Sequence, residues 1–264
     1  MKAKGLLSLI AFSEKRKEIL SFVQKEPKTL QEIKDHFEVT SPEIIPQIKK
    51  LEKNYLVCQE DRKYVLTDIG KIVNNSLDQL VKTLDIFEKD LEFWNLHNLK
   101  GVPWEFRVRL YELGEFNIFK STQTEMFKPH EEYLKNLLNS KFMFGVSPVL
   151  HPDYPKHIEM LRGKGIPISI IITRDVLEKL KENHKLELEK SLRSKNVQLL
   201  VYDENMEVAF TVTNNFLSVR FFLKNNNYDF YRNIISTEKS ALRWGMDLFR
   251  YYEKRSSKIE LQDF

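Results

Sequence analysis

Three short helical patterns followed by a two-strand hairpin within residues 13–73, a long apolar stripe after them, and a strand-helix alternation from Phe142 onward predict a chain of the α+β and α/β classes. The expected architecture is an N-terminal winged helix-turn-helix over residues 1–73, a long linker or dimerisation helix over 74–98, and a C-terminal α/β domain with a mixed sheet over 99–264.

The first amphipathic helix runs from Glu14 to Gln24 and offers Ile19, Leu20, Phe22 and Val23 to a core. Pro27 with Lys28 breaks it, and Thr29 caps a short second helix that adds Leu30, Ile33 and Phe37. The third helix is predicted from Ser41 to Asn54, with Ser41 as N-cap, Pro42 at the first helical position and Glu43 in the first turn. Ile44, Ile48 and Leu51 recur at the helical period, with Ile45 alongside, which leaves Glu43, Gln47, Lys50 and Asn54 on the opposite face, flanked by Lys49 and Lys53. Pro46 removes one hydrogen bond near the start without precluding the helix. Two β-rich runs, Tyr55 to Cys58 and Lys63 to Leu66, flank Gln59 to Arg62, a hairpin tip that projects Arg62 and Lys63.

A polar helix face carrying amide and ammonium groups suits the DNA major groove, where Gln and Lys reach base edges and lysines neutralise phosphates. The candidate DNA-contacting residues are therefore Ser41, Glu43, Gln47, Lys49, Lys50, Lys53 and Asn54 on the helix, with Arg62 and Lys63 on the wing. Double-stranded DNA is the expected partner.

The 264 residues, 42% hydrophobic and 12% aromatic, suffice for about two domains with full cores. The net charge is +4, with 14 Lys and Arg against 11 Asp and Glu in residues 1–75. So modest a bias excludes a generally basic nucleic-acid coat and places any DNA affinity on the positions of individual lysines. The single cysteine, Cys58, excludes an intrachain disulfide and a multi-cysteine zinc site, which fits a reducing cytoplasm; it reads as a small buried strand residue. The start MKAKGLLSLIAFSEKRKE has the outline of a signal peptide, but Ser8 interrupts the apolar run and no small-residue cleavage site follows. A short packing helix is expected there. No stretch approaches the roughly 20 apolar residues that span a bilayer, so no membrane association is expected.

From Ile69 the apolar positions Ile69, Val73, Leu77, Leu80, Leu84, Phe87 and Leu91 are spaced by threes and fours. Two copies pairing along this seam would make a homodimer with two recognition helices set for two half-sites. The stripe packing on the chain's own next domain is the alternative.

His97, Asn98, Gly101 and Pro103 mark a break. Helices are then expected over 129–139, 155–161, 176–192 and 236–254, and strands over 142–146, 166–172, 197–202, 207–213 and 216–223. Asn214 and Asn215 suit a tight hairpin turn with positive φ, Ser236 or Thr237 a cap for the last helix, whose Phe249 and Tyr252 read as core.

The segments GVSPVLHPDYPKHIEMLRGKGIPISIIITRDVLEKL, VAFTVTNNFLSVRFFLKNNNYDF and SALRWGMDLFRYYEK, preceded by a winged helix, resemble the archaeal winged-helix regulators that carry the methanogenesis-regulatory middle domain. The resemblance implies a cytoplasmic transcription regulator with an N-terminal DNA reader and a C-terminal domain that senses a signal. Two positions depart from that pattern: Asn214 stands where an aspartate is expected, and Arg220 where a small residue is.

Ligands of parallel α/β sheets collect outside the carboxyl ends of strands, here Ser147, Thr173 with Arg174, and Tyr202 with Asp203. The candidate effector-binding residues are Ser147, His151, Tyr154, Thr173, Arg174 and Arg220: Arg174, His151 and Arg220 for a carboxylate or phosphate, Ser147 and Thr173 to orient it, Tyr154 and Phe222 to cover it. Catalysis would draw on His151, Asp153 and His157, making the alternative a winged helix fused to a small-molecule-processing enzyme. The chain carries no HxK pair of the phospholipase D type, no GxSxG elbow, no HExxH helix and no GxxxxGK loop. His151 reads as a loop residue and His157 as a surface position, two histidines and one acid fall short of a metal site, and no cofactor is expected. A purely dimerising, protein-contacting second domain is a third reading.

Overall fold

A computed structural model describes residues 4–122, 131–151 and 154–261. The chain divides into two compact units, residues 1–82 and 83–264.

In the first unit α1 (Lys4–Ala11) packs on α2 (Glu14–Lys25), whose start is capped by the Ser13 hydroxyl accepting from the Arg16 N–H. Two residues of strand, β1 (Lys28–Thr29), lead into α3 (Leu30–Phe37). Thr29 caps α3 as expected: the Glu32 carboxylate accepts from the Thr29 N–H at 2.8 Å, and the Thr29 hydroxyl accepts from the Glu32 N–H at 3.2 Å. Glu38, at φ 52°, ends the helix in the left-handed region.

The third helix, α4 (Ser41–Lys53), begins with a different cap from the one expected. Thr40 is the N-cap and Ser41 is the first helical residue; the Glu43 carboxylate reaches back to the Thr40 N–H at 2.9 Å and hydroxyl at 2.8 Å. Thr40 wins because it stands three residues before Glu43, the spacing a capping box requires. The helix runs unbroken through Pro46. The hairpin joins β2 (Val57–Glu60) to β3 (Lys63–Leu66) through Asp61 and Arg62, both at positive φ, 47° and 62°. That two-residue turn matches the twist of antiparallel strands, so pairing extends to Glu60 and the wing is tighter than the four-residue tip expected. Tyr55 lies outside the strand at φ 57°. The third strand, β1, which the breaking effect of Pro27 hides in the sequence, pairs antiparallel with β3 to give the order β1-β3-β2.

Ile19, Leu20, Ile33, Ile44, Ile48, Leu51, Leu56 and Leu66 form the core of this unit, with Ile10 of α1 added to it. Each such side chain contributes about 1.5–3 kcal/mol through its removal from water. Cys58 is half-buried rather than buried, and burial pushes its thiol up. The next helix, α5 (Asp68–Glu88), is seated by Gly70, where a Cβ would lie 1.9 Å from the Leu56 carbonyl oxygen. It ends at Glu88, so the expected seam is divided. Val73 and Leu77 pack on the first unit's core, Phe87 on the second's, while Ile69, Leu80 and Leu84 are exposed and Leu91 belongs to the following helix.

The second unit continues with α6 (Leu91–Leu96), β4 (His97–Asn98), α7 (Trp104–Arg107), a 3-10 turn at Leu110–Leu113, β5 (Asn117–Lys120), α8 (Glu131–Leu138) and β6 (Met143–Ser147). It proceeds through α9 (Tyr154–Gly163), β7 (Ile168–Thr173), α10 (Arg174–Asn183), α11 (Lys185–Leu192) and β8 (Val197–Tyr202). The end is β9 (Val208–Thr213), β10 (Leu217–Leu223), β11 (Arg232–Ser236), α12 (Lys239–Glu253) and β12 (Ser257–Lys258). The expected helix start at Pro129 lies outside the described residues.

Among the described residues these strands form a mixed sheet in the order β12-β8-β7-β6-β9-β10-β11-β5, with β4 added beside β10. The β6, β7 and β8 strands are parallel, as the strand-helix alternation predicts; β9, β10, β11 and β5 are antiparallel. The turn from β9 to β10 uses no positive φ. Instead the Thr213 hydroxyl accepts from the N–H groups of Asn215 and Phe216, while Asn214 accepts from the Lys141 N–H and Asn215 donates to the Asn136 carbonyl. The two asparagines fasten the hairpin to the chain around α8 rather than twist it.

On one face of the sheet α12 packs Trp244, Leu248, Phe249 and Tyr252 with Val208, Phe210, Val212, Leu217, Val219 and Phe221. Trp244 is fully buried and its indole N–H donates to the Phe106 carbonyl at 3.0 Å. The helix is capped at Glu238, since Ser236 belongs to β11 and directs its hydroxyl at the Leu113 and Glu115 carbonyls. Gly245 permits the close approach: a Cβ there would meet Leu217 Cδ1 at 2.6 Å.

Candidate functional site

In the first unit α4 and the wing carry the expected cations. Lys49, Lys50 and Lys53 are exposed on α4, Arg62 and Lys63 at the hairpin tip, and none of the five forms an ion pair among the described residues. Cations left unpaired in water remain available to phosphates. The remaining predicted contacts are engaged elsewhere. Hydrogen bonds from the Thr40 N–H and hydroxyl hold the Glu43 carboxyl below the usual range, committing it to the helix cap. Asn54 is the C-cap and donates to the Lys50 carbonyl at 2.8 Å, and Ser41 is half-buried in the first turn. Gln47 is half-buried, its carbonyl oxygen receiving Arg16 Nη1 at 2.7 Å. Arg16, on the first turn of α2, is legible in the sequence only as a charge; its contact spans 31 residues.

The second unit holds a pocket of about 50 Å³ on the sheet face opposite α12. Thr211 of β9, Ser218 and Arg220 of β10 and Asn233 of β11 line its floor. Alternation along the strands and the pairings Thr211 with Ser218 and Ala209 with Arg220 bring them to one side. Tyr133 of α8, His157 of α9 and the loop residues Val149 and His151 form the walls, with Tyr228 beside them. The Ser218 hydroxyl donates to Asn233 Oδ1 at 2.9 Å, and the hydroxyls of Tyr133 and Thr211 lie 3.2 Å apart. Arg220 reaches the Phe230 carbonyl at 3.4 Å and has no carboxylate partner among the described residues.

His151 and Arg220 therefore meet in one pocket. Ser147, its hydroxyl 2.8 Å from the Val149 carbonyl, lies in a smaller adjoining space that shares Tyr133, His157 and Thr211. Thr173 and Arg174 do not join them: Thr173 caps α10, and Arg174 binds Asp203 at 2.8 and 3.0 Å on an exposed edge. Tyr154 begins α9, with its side chain outside the described residues, as is Asp153. The pocket stands on the antiparallel part of the sheet, with Tyr133 of α8, His157 of α9 and Val149 and His151 after β6 as its walls, instead of across the carboxyl ends of the parallel strands. His157 is buried at 8% exposure and is no surface residue. Phe222 touches Tyr228 edge-on, their ring centroids 5.3 Å apart. No group of three or more His, Cys, Asp or Glu suited to a metal ion occurs among the described residues.

Residues 5–85 match the N-terminal domain of the methanogenesis regulatory protein FilR1, and residues 126–255 match its middle domain. This chain belongs to the FilR1 family. It is 26% identical over 226 residues to the methanogenesis regulatory protein FilR1 of Methanothrix harundinacea (strain 6Ac), a match covering 83% of this chain and 50% of that relative. The chain thus spans about half the length of the curated FilR1 it matches. Among solved structures, TrmBL2, an archaeal chromatin protein described with a novel mode of DNA binding, is similar at a TM-score of 0.44 and 14% identity, covering 84% of each chain. Nuc, a phospholipase D family member from Salmonella typhimurium, gives a TM-score of 0.36 and 10% identity, covering 55% of this chain and 98% of that one. The FilR1 relationship agrees with the resemblance carried by the SPVLHPDYP and RWG segments, and both family domains have a counterpart in the two units.

Proposed function

We propose that this chain is a DNA-binding transcriptional regulator that acts as a homodimer, with residues 1–73 as reader, residues 74–98 as connection and residues 99–264 as the domain that senses a small molecule. The observation that carries the reading is the exposed set Lys49, Lys50 and Lys53 on the third helix of a winged helix, with Arg62 and Lys63 on its wing, none of them in an ion pair among the described residues. Membership of a family of regulatory proteins supports it. The engagement of Thr173 in a cap and of Arg174 in a surface ion pair takes both out of the sensing site and leaves it to His151 and Arg220. The regulator would act in the cytoplasm; no described helix is long and apolar enough to cross a membrane.

Fluorescence anisotropy with the DNA upstream of the protein's own gene tests the reading. Replacing Lys50 and Lys53 by Ala should weaken binding and lower the slope of log affinity against log salt by about one unit for each phosphate no longer neutralised. Arg62→Ala with Lys63→Ala should weaken binding to every sequence alike. Unchanged affinity in both double variants would remove α4 and the wing as the DNA-binding surface.

A further inference from the structure

The pocket on the β9, β10 and β11 face contains an arginine with no acid among the described residues that line it. Arg220 stands in the middle of a central strand, only part-exposed, and its hydrogen bond among the described residues is the long 3.4 Å approach to the Phe230 carbonyl. A guanidinium withdrawn from water is costly unless its charge and its forked N–H groups are met. No Asp or Glu is found among the described residues that line the pocket.

The neighbouring strand sharpens the choice. Asn233 is 5% exposed, and the Ser218 hydroxyl occupies its carboxamide oxygen at 2.9 Å. Asn233 lines the pocket, and its amide nitrogen has no hydrogen-bond partner among the described residues. A site whose described lining presents a cation and an N–H donor and no carboxylate disfavours metal ions and amines and matches the acceptor oxygens of an anion. The pocket volume of about 50 Å³ has room for an oxyanion head group.

We propose that this pocket binds a compact oxyanion, a phosphate or carboxylate group, through Arg220 and Asn233. The proposal rests on reading the C-terminal domain as a sensor and assigns the chemical class of what it senses. Arg220 supplies the charge and two parallel N–H bonds, Asn233 a third donor from the adjacent strand, and Ser218 sets which end of the Asn233 amide faces the ligand.

Thermal unfolding of the full chain, titrated with inorganic phosphate and separately with acetate against sodium chloride of matched ionic strength, provides the test. Saturable stabilisation by phosphate, acetate or both is expected, and the difference between the two arms tells which head group is preferred. Arg220→Gln should abolish the response. Arg220→Lys, which keeps the charge and loses the fork, and Asn233→Ala should each weaken apparent affinity by about tenfold. A response no larger than that to chloride, or one retained in Arg220→Gln, overturns the proposal. Should Arg220→Gln lose its cooperative melt, wild-type affinity in both Arg220→Lys and Asn233→Ala overturns it equally. Anisotropy on the same samples separates the two readings: DNA binding without an anion response removes the pocket alone, and an anion response without DNA binding removes the regulator alone.

Discussion

At the residue scale the least ambiguous polar contact is between His97 and Asp229, 132 positions apart. Both side chains are all but fully buried; His97 Nε2 lies 2.9 Å from Asp229 Oδ2, and Nδ1 lies 2.6 Å from the Phe93 carbonyl. Burial opposes ionisation of Asp229, but hydrogen bonds from His97 and from the Tyr231 N–H outweigh it and hold the carboxyl below the usual range. A carboxyl with a lowered folded pKa contributes stability above the unfolded value near 3.9, and the contribution is lost as pH falls from there through the folded value. Asp229→Asn should cost about 2–3 kcal/mol at neutral pH by urea denaturation. The gap from wild type should close on acidification below about pH 4; a gap that widens there would refute the assignment. The same scale explains why the roles of Gln47, Glu43 and Asn54 differ from those the sequence suggests. Helical period tells which face they occupy, whereas their partners Arg16, Thr40 and the Lys50 carbonyl follow from cap geometry and from the packing of α2.

At the scale of elements, periodicity is a dependable guide wherever one face is buried. The α4 helix and the strands from β6 to β10 lie within about two residues of expectation, since apolar residues must meet a core at the spacing of their own backbone. The strands β1, β4, β5, β11 and β12 escape such reading: β1, β4 and β12 span two residues each, and β5 and β11 show no in-and-out alternation of burial. Without β11 the sequence conceals Asn233 from the candidate site, and the hairpin register of β9 and β10 conceals that Thr211, Ser218 and Arg220 share a face. The Trp244-Gly245 pair has an element-scale cause. A methyl at 245 would press on Leu217 Cδ1 at 2.6 Å and Val212 Cγ2 at 3.1 Å, so Gly245→Ala should destabilise by about 1–3 kcal/mol in chemical denaturation. Combining it with Leu217→Ala should cost less than the sum of the two single changes, because the truncation makes room for the methyl; strict additivity would place the strain elsewhere.

For the whole molecule, the proposed DNA reader turns on the number of copies that present α4. Ile69, Ile72, Leu80 and Leu84 leave α5 with exposures of 51%, 68%, 51% and 49%, an apolar row at helical spacing that the chain's own cores do not cover. Light scattering at micromolar concentration should give twice the chain mass, falling toward the single-chain value in Ile72→Glu with Leu80→Glu; a monomeric wild type would remove the paired reader. The winged helix, the parallel βαβ core, the family and the cations of α4 and the wing are all legible in the residues alone. The family is legible through the resemblance of the SPVLHPDYP and RWG segments; the rest follows from local rules: burial period, capping and turn chemistry, and charges that stay at the surface. It takes the folded chain to show that Arg174 is held by Asp203, that His157 is buried, and that Arg220 and Asn233 share one pocket. Those facts depend on strand order and register across the antiparallel half of the sheet, where side chains far apart in sequence become neighbours and no periodicity records which ones meet.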